Sequence, residues 1–135
     1  PKPGLLSQTF IGSTSGLKIG KALIESLIQG DFFGKKGRNI AIHQRFLMHF
    51  ERLEKQSLVH GPYGLGCMIA FTPFDGSFEK TTEVINALFD AGVITFIAGS
   101  HPWRIRMLVP GGVITDEDID QVMQIIETSL NHVSH

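Results

Sequence analysis

The chain has one cysteine, one tryptophan and one tyrosine in 135 residues, and a net charge of -1 with a pI near 6.7. The single Cys67 excludes an internal disulfide framework and leaves no cysteine cluster for zinc. It lies in an apolar run, where a buried, inert thiol is expected rather than a nucleophile. The near-neutral charge gives no general field for attracting nucleic acid or acidic lipid, so recognition must rest on local charge. No apolar run approaches the roughly 18 residues that a membrane-crossing helix needs, and no signal-peptide pattern opens the sequence. The expectation is a cytoplasmic protein without nucleic-acid or membrane partners. Pro1-Lys2-Pro3 opens the sequence without an initiator methionine, which is compatible with excision from a larger protein.

Hydrophobic residues make up 42% and charged residues 19%, the composition of a globular domain able to bury a core. After a loop-like start, Gly12-Ser13-Thr14-Ser15-Gly16 offers hydroxyls that can cap a helix. It is not a P-loop, because the Gly-Lys-Ser/Thr ending is missing. Ile19, Leu23, Ile24, Leu27 and Ile28 then form a stripe at helical spacing that stops at Gly30. Ile40, Ile42, Phe46, Phe50 and Leu53 predict a second helix ending near Lys55. His43 and His49 lie on its flanks without partners at metal-ligand spacing.

His60-Gly61-Pro62-Tyr63-Gly64 reads as turn chemistry, and Leu65, Cys67, Ile69 and Phe71 alternate as one strand. A helix from Phe78 to Ala91 follows, then a β-branched strand from Val93 to Ala98. Thr115 is the expected N-cap of a last helix, with Asp116, Glu117 and Asp118 in its first turn, where the helix dipole favours acids. These acids are therefore read as capping residues and not as a catalytic pair.

The most informative stretch is Trp103-Arg104-Ile105-Arg106-Met107-Leu108-Val109-Pro110. Its period of two puts Ile105 and Met107 on one face and Arg104 and Arg106 on the other. A guanidinium offers paired, planar donors that match a carboxylate or phosphate, so an anion site is one reading. A solvated strand face is the other. The order helix, helix, strand, helix, strand, strand, helix predicts an α+β fold: a small mixed or antiparallel sheet covered by helices and preceded by a two-helix arm. The expected division is 1–58 for the linker turn and arm and 59–135 for the small C-terminal domain.

Four pieces in order give the chain a resemblance to the C-terminal part of class III (ornithine or 4-aminobutyrate type) aminotransferases, fold type I enzymes dependent on pyridoxal phosphate. Gln8-Thr9-Phe10-Ile11-Gly12-Ser13 resembles the family's Ser-Thr-Phe-Gly-Gly-Asn turn. Gly61-Pro62-Tyr63-Gly64-Leu65-Gly66-Cys67-Met68 resembles its Arg-Gly-x-Gly-Leu-Met strand. Ala91-Gly92-Val93-Ile94 through Arg106-Met107-Leu108-Val109-Pro110 resembles the stretch that ends in Ile-Arg-Leu-Leu-Pro-Pro. Ile114-Thr115-Asp116-Glu117-Asp118-Ile119-Asp120 resembles the start of its terminal helix. Ile11-Gly12-Ser13 and Gly111-Gly112 depart from the family pattern.

The resemblance implies that Arg106 holds a substrate carboxylate and that Thr9 hydrogen-bonds the phosphate of pyridoxal phosphate across a homodimer interface. Arg104 matches no family motif and is expected to be a surface residue or a second anion contact. The lysine that carries the cofactor lies upstream in the family, so the chain is expected to need a missing N-terminal large domain and to be inactive alone. The implied reaction transfers an amino group between an amino acid, or an ω-amine, and a keto acid. A mutase or decarboxylase relative shares the same implied architecture. From the residues alone, a free-standing anion-binding or dimerisation module without catalysis stands as the alternative.

Overall fold

The computed structural model describes residues 13–134. The elements run α1 (Thr14–Gln29), α2 (Arg38–Lys55), β1 (Val59–Leu65), β2 (Met68–Pro73), α3 (Phe78–Asp90), β3 (Phe96–Gly99), β4 (Trp103–Leu108) and α4 (Asp116–Ser134). The fold is α+β, with one four-stranded sheet in the order β1-β2-β4-β3 and every neighbouring pair antiparallel. No described helix is long and apolar enough to cross a membrane.

Helices α2, α3 and α4 collect on one face of the sheet because their apolar stripes need the alternate residues of the strands. Ile69 and Phe71 of β2 and Ile105 of β4 are fully buried there against Val84 and Leu88 of α3 and Phe46 and Phe50 of α2. Phe50 and Phe71 meet with ring centroids 5.0 Å apart. Fully burying a side chain of this size stabilises a fold by roughly 1.5–3 kcal/mol. On α4, Ile119, Met123, Ile126 and Leu130 recur at helical spacing and are fully buried in the same core. That helix starts as expected at Thr115, whose hydroxyl accepts from the Asp118 backbone N–H at 3.1 Å while the Asp118 carboxylate accepts from the Thr115 N–H at 2.8 Å. The two groups satisfy each other's free donors as a capping box does.

Three features differ from the sequence reading, the smallest being that the strand expected from Val93 to Ala98 is β3, Phe96–Gly99. The stretch read as a single strand with a turn before it is a hairpin, in which β1 and β2 are joined by Gly66-Cys67 with Leu65 opposite Met68. Gly66 has φ +60, as the first residue of a tight hairpin turn with glycine there requires. A two-residue turn inverts the alternation, so Leu65 points the same way as Met68 and not into the core with Ile69. Pro62 sits in β1, at the sheet edge, where a missing N–H breaks no interior ladder.

The helices of the expected arm also behave differently from each other. In α2, Ile42, Phe46, Phe50 and Leu53 form one buried stripe in the common core. Arg45 adds a two-pronged ion pair to Asp120 of α4, 2.9 Å from Nε and 2.5 Å from Nη2, and His49 reaches the same carboxylate at 2.9 Å. In contrast, α1 buries no residue and packs substantially on no other described element. Its N-terminus is capped by Ser13, whose hydroxyl accepts from the Gly16 N–H at 3.2 Å.

Candidate functional site

The face of the sheet away from the helices carries the residues that can do chemistry. On β4, Ile105 and Met107 enter the core, so Arg104 and Arg106 emerge on the opposite side. The register sets their neighbours. Tyr63, Ala70, Arg106 and Phe96 lie in one row across all four strands, and Ala98 stands beside Arg104. The methyl groups of Ala70 and Ala98 are small enough for long arginine stems to lie along the sheet. Around them Leu65 is 75% exposed, Met68 and Leu108 57% each and Phe96 50%, so this open face is largely apolar.

The two arginines differ in their electrostatics from the rest. Arg38, Arg45 and Arg52 each pair with an acid of α4. Neither Arg104 nor Arg106 has a carboxylate partner among the described residues, and residues 1–12 contain no Asp or Glu. Both are half-buried, and both Nε atoms are buried without a hydrogen-bond partner. A desolvated donor left unpaired costs about 1–3 kcal/mol, and more when charged. Same-face neighbours on a strand stand about 7 Å apart. Two unit charges at that distance repel by roughly 2 kcal/mol at an effective dielectric near 20. An anion on this face offsets that repulsion.

Tyr63 completes the arrangement, with the Arg104 guanidinium carbon 4.3 Å from its ring centroid. The ring holds that cation in place by attraction to its π face. Arg104, expected to be a surface residue or a second anion contact, is thus stacked on an aromatic. Tyr63 has no site role in the sequence reading, because nothing local in Gly61-Pro62-Tyr63-Gly64 reveals which strand it faces. The glycine that makes the hairpin was the signal that could have found it.

The remaining candidates lie elsewhere. Thr9 lies outside the described residues. Lys18, Lys21, Lys35, Lys36, Lys55 and Lys80 are on helices or the segment between α1 and α2, and none is on a strand. Cys67 sits in the hairpin turn with its Sγ 3.4 Å from Asn39 Oδ1, and burial pushes its thiol up in pKa, which disfavours the reactive thiolate. His43 Nδ1 lies 3.2 Å from the Gly66 carbonyl and His49 serves Asp120. No group of three or more metal-ligating side chains is assembled among the described residues.

No family model matches the sequence, and no curated protein matches it. Solved structures do match in fold. An acetylornithine aminotransferase from Elizabethkingia anophelis superposes with a TM-score of 0.74 at 22% identity, covering 98% of this chain and 32% of that one. A lysine aminotransferase from M. tuberculosis gives 0.64 at 22% identity, covering 87% and 24%. A phospholyase from Arthrobacter, solved with phosphoethanolamine, gives 0.71 at 20% identity, covering 83% and 27%. The chain therefore spans less than a third of the length of these proteins. In fold, it resembles the C-terminal part of class III aminotransferases.

Proposed function

We propose that this chain is the C-terminal domain of a pyridoxal-phosphate-dependent aminotransferase, one that moves an amino group between an amino acid or ω-amine and a keto acid. The observation that carries this reading is Arg106. It stands on a central strand of a sheet whose fold is that of aminotransferases, its Nε buried and unpaired and its charge unmatched by any described acid. In that role the guanidinium fork donates to the substrate carboxylate and fixes which end of the substrate faces the reacting centre.

The described residues fit the substrate side of such a site. Thr9 is assigned to the cofactor phosphate of the neighbouring subunit, where a hydroxyl and backbone N–H groups suit a dianion. Pyridoxal phosphate, when bound, supplies an electron sink for the carbon that loses its proton. The lysine and the acid that serve the cofactor are assigned to a large N-terminal domain outside this chain, so the chain alone has no transaminase activity. Residues 1–58 make the junction to that domain and 59–135 the small domain, with α2 contributing to the small domain's core. A homodimer in the cytoplasm completes the proposal.

The test is kinetic, in the protein that includes the upstream domain. Arg106→Gln is expected to lower kcat/KM for carboxylate-bearing amino donors by about a hundredfold or more, the loss of a charge-assisted, two-pronged contact. It is expected to leave the bound cofactor's absorbance unchanged. Undiminished kcat/KM in this variant, or no transamination by the longer protein, refutes the assignment. The anion-binding module without catalysis is supported instead if the chain by itself binds amino or keto acids tightly and the longer protein transfers no amino group.

A further inference from the structure

We propose that Arg104, held over Tyr63, is a second anion contact that makes this site select ligands with an anionic group in addition to the carboxylate on Arg106. The inference rests on the reading of Arg106 as the carboxylate clamp and extends it to specificity. Three observations converge on it. Arg104 shares the open face and the same strand with Arg106, two residues away, and like Arg106 it has a buried Nε with no partner and no described acid beside it. The Tyr63 ring at 4.3 Å fixes the guanidinium, so little side-chain freedom is left to lose on binding. The stems of both arginines border alanines, which leaves the space above the sheet to the ligand.

A ligand that places one carboxylate on Arg106 and a second anionic group about 5–7 Å away meets both forks at the spacing of alternate strand residues. A monoanion of the same length satisfies one fork and leaves the other charge unmatched. Selectivity follows from that difference and not from the affinity of either contact.

The experiment uses the 135-residue chain and the Nε–H signals of Arg104 and Arg106 in nitrogen-detected NMR, titrated at matched ionic strength with pentanedioate, pentanoate and 4-phosphonobutanoate. Pentanedioate is expected to shift both signals and pentanoate that of Arg106 alone. The dianion is expected to bind about tenfold more tightly, the worth of one charge-assisted contact. Arg104→Gln should bring the two ligands within about twofold of each other, while Arg104→Lys, which keeps the charge, should retain part of the preference. The phosphonate arm decides whether the second group is a carboxylate or a phosphate-like dianion, according to which Arg104→Gln weakens more. Shifts at Arg106 with both ligands, equal affinities and an unmoved Arg104 signal overturn this proposal and leave the carboxylate clamp standing. If no ligand moves either signal, this proposal falls, and the clamp is decided separately by the Arg106→Gln kinetics in the longer protein.

Discussion

The guanidinium of Arg104 lies 4.3 Å from the ring centroid of Tyr63, two residues that are 41 positions apart and separated by a strand. The hairpin turn at Gly66-Cys67 brings them to the same face by setting Tyr63 opposite Ala70, in the row that holds Arg106.

That contact has a measurable stability. Tyr63→Ala is expected to lower the unfolding free energy by about 0.5–1 kcal/mol for the lost cation–π attraction, with Tyr63→Phe close to wild type because the ring face is kept. Urea denaturation checks the energies. Nitrogen relaxation at Arg104 Nε should show added mobility in the alanine variant only.

The hairpin is the most sensitive backbone feature. A Cβ at Gly64 would lie 2.1 Å from the Met68 carbonyl oxygen, and the residue has φ +106. Gly64→Ala is therefore expected to cost about 2–4 kcal/mol through strain and clash together. Gly66→Ala, whose nearest neighbour is Asn39 Cβ at 3.7 Å, should cost only the left-handed backbone penalty of about 1–2 kcal/mol. Equal losses in the two variants would count against this account.

The junction of α2 and α4 predicts an acid-sensitive step. The Asp120 carboxyl is held down to about 2 from its ordinary 3.8, first by hydrogen bonds from Arg45 and then by His49. A lowered pKa means a contribution fully present above the ordinary value and lost as pH falls from about 4 towards 2. Stability measured across that window should fall more steeply in the wild type than in Asp120→Asn. Arg45→Gln should move the Asp120 titration, followed by carboxyl NMR, back up towards the ordinary value. An Asp120 that titrates near 4 in the wild type would falsify this.

Core membership separates the two N-terminal helices. Phe50 is fully buried, and Phe50→Ala is expected to cost about 3–5 kcal/mol for the transfer and the cavity together. Ile24, on α1, is 55% exposed, and Ile24→Ser should change the stability of this chain by about 0.5 kcal/mol or less. Denaturant midpoints decide the matter, and a comparable loss in both variants would place α1 in the core.

Local chemistry in the sequence determined most of the elements. Apolar stripes with glycine stops, the Thr115 cap and its acids, and the period of two in β4 each depend on residues a few positions apart, and each predicted its element. The same period put Arg104 and Arg106 on one face as two equivalent cations, and the family resemblance then singled out Arg106 as the carboxylate ligand. Tertiary structure decided what depends on residues far apart. The turn at Gly66-Cys67 inverted an alternation that looked continuous, because apolar period alone does not show where a strand reverses. The stripes of α1 and α2 look alike in sequence, yet only α2 meets a complementary surface within this chain. Tyr63 and Arg104 became partners through strand register, which arises from pairing across the sheet and leaves no mark in either residue's local sequence.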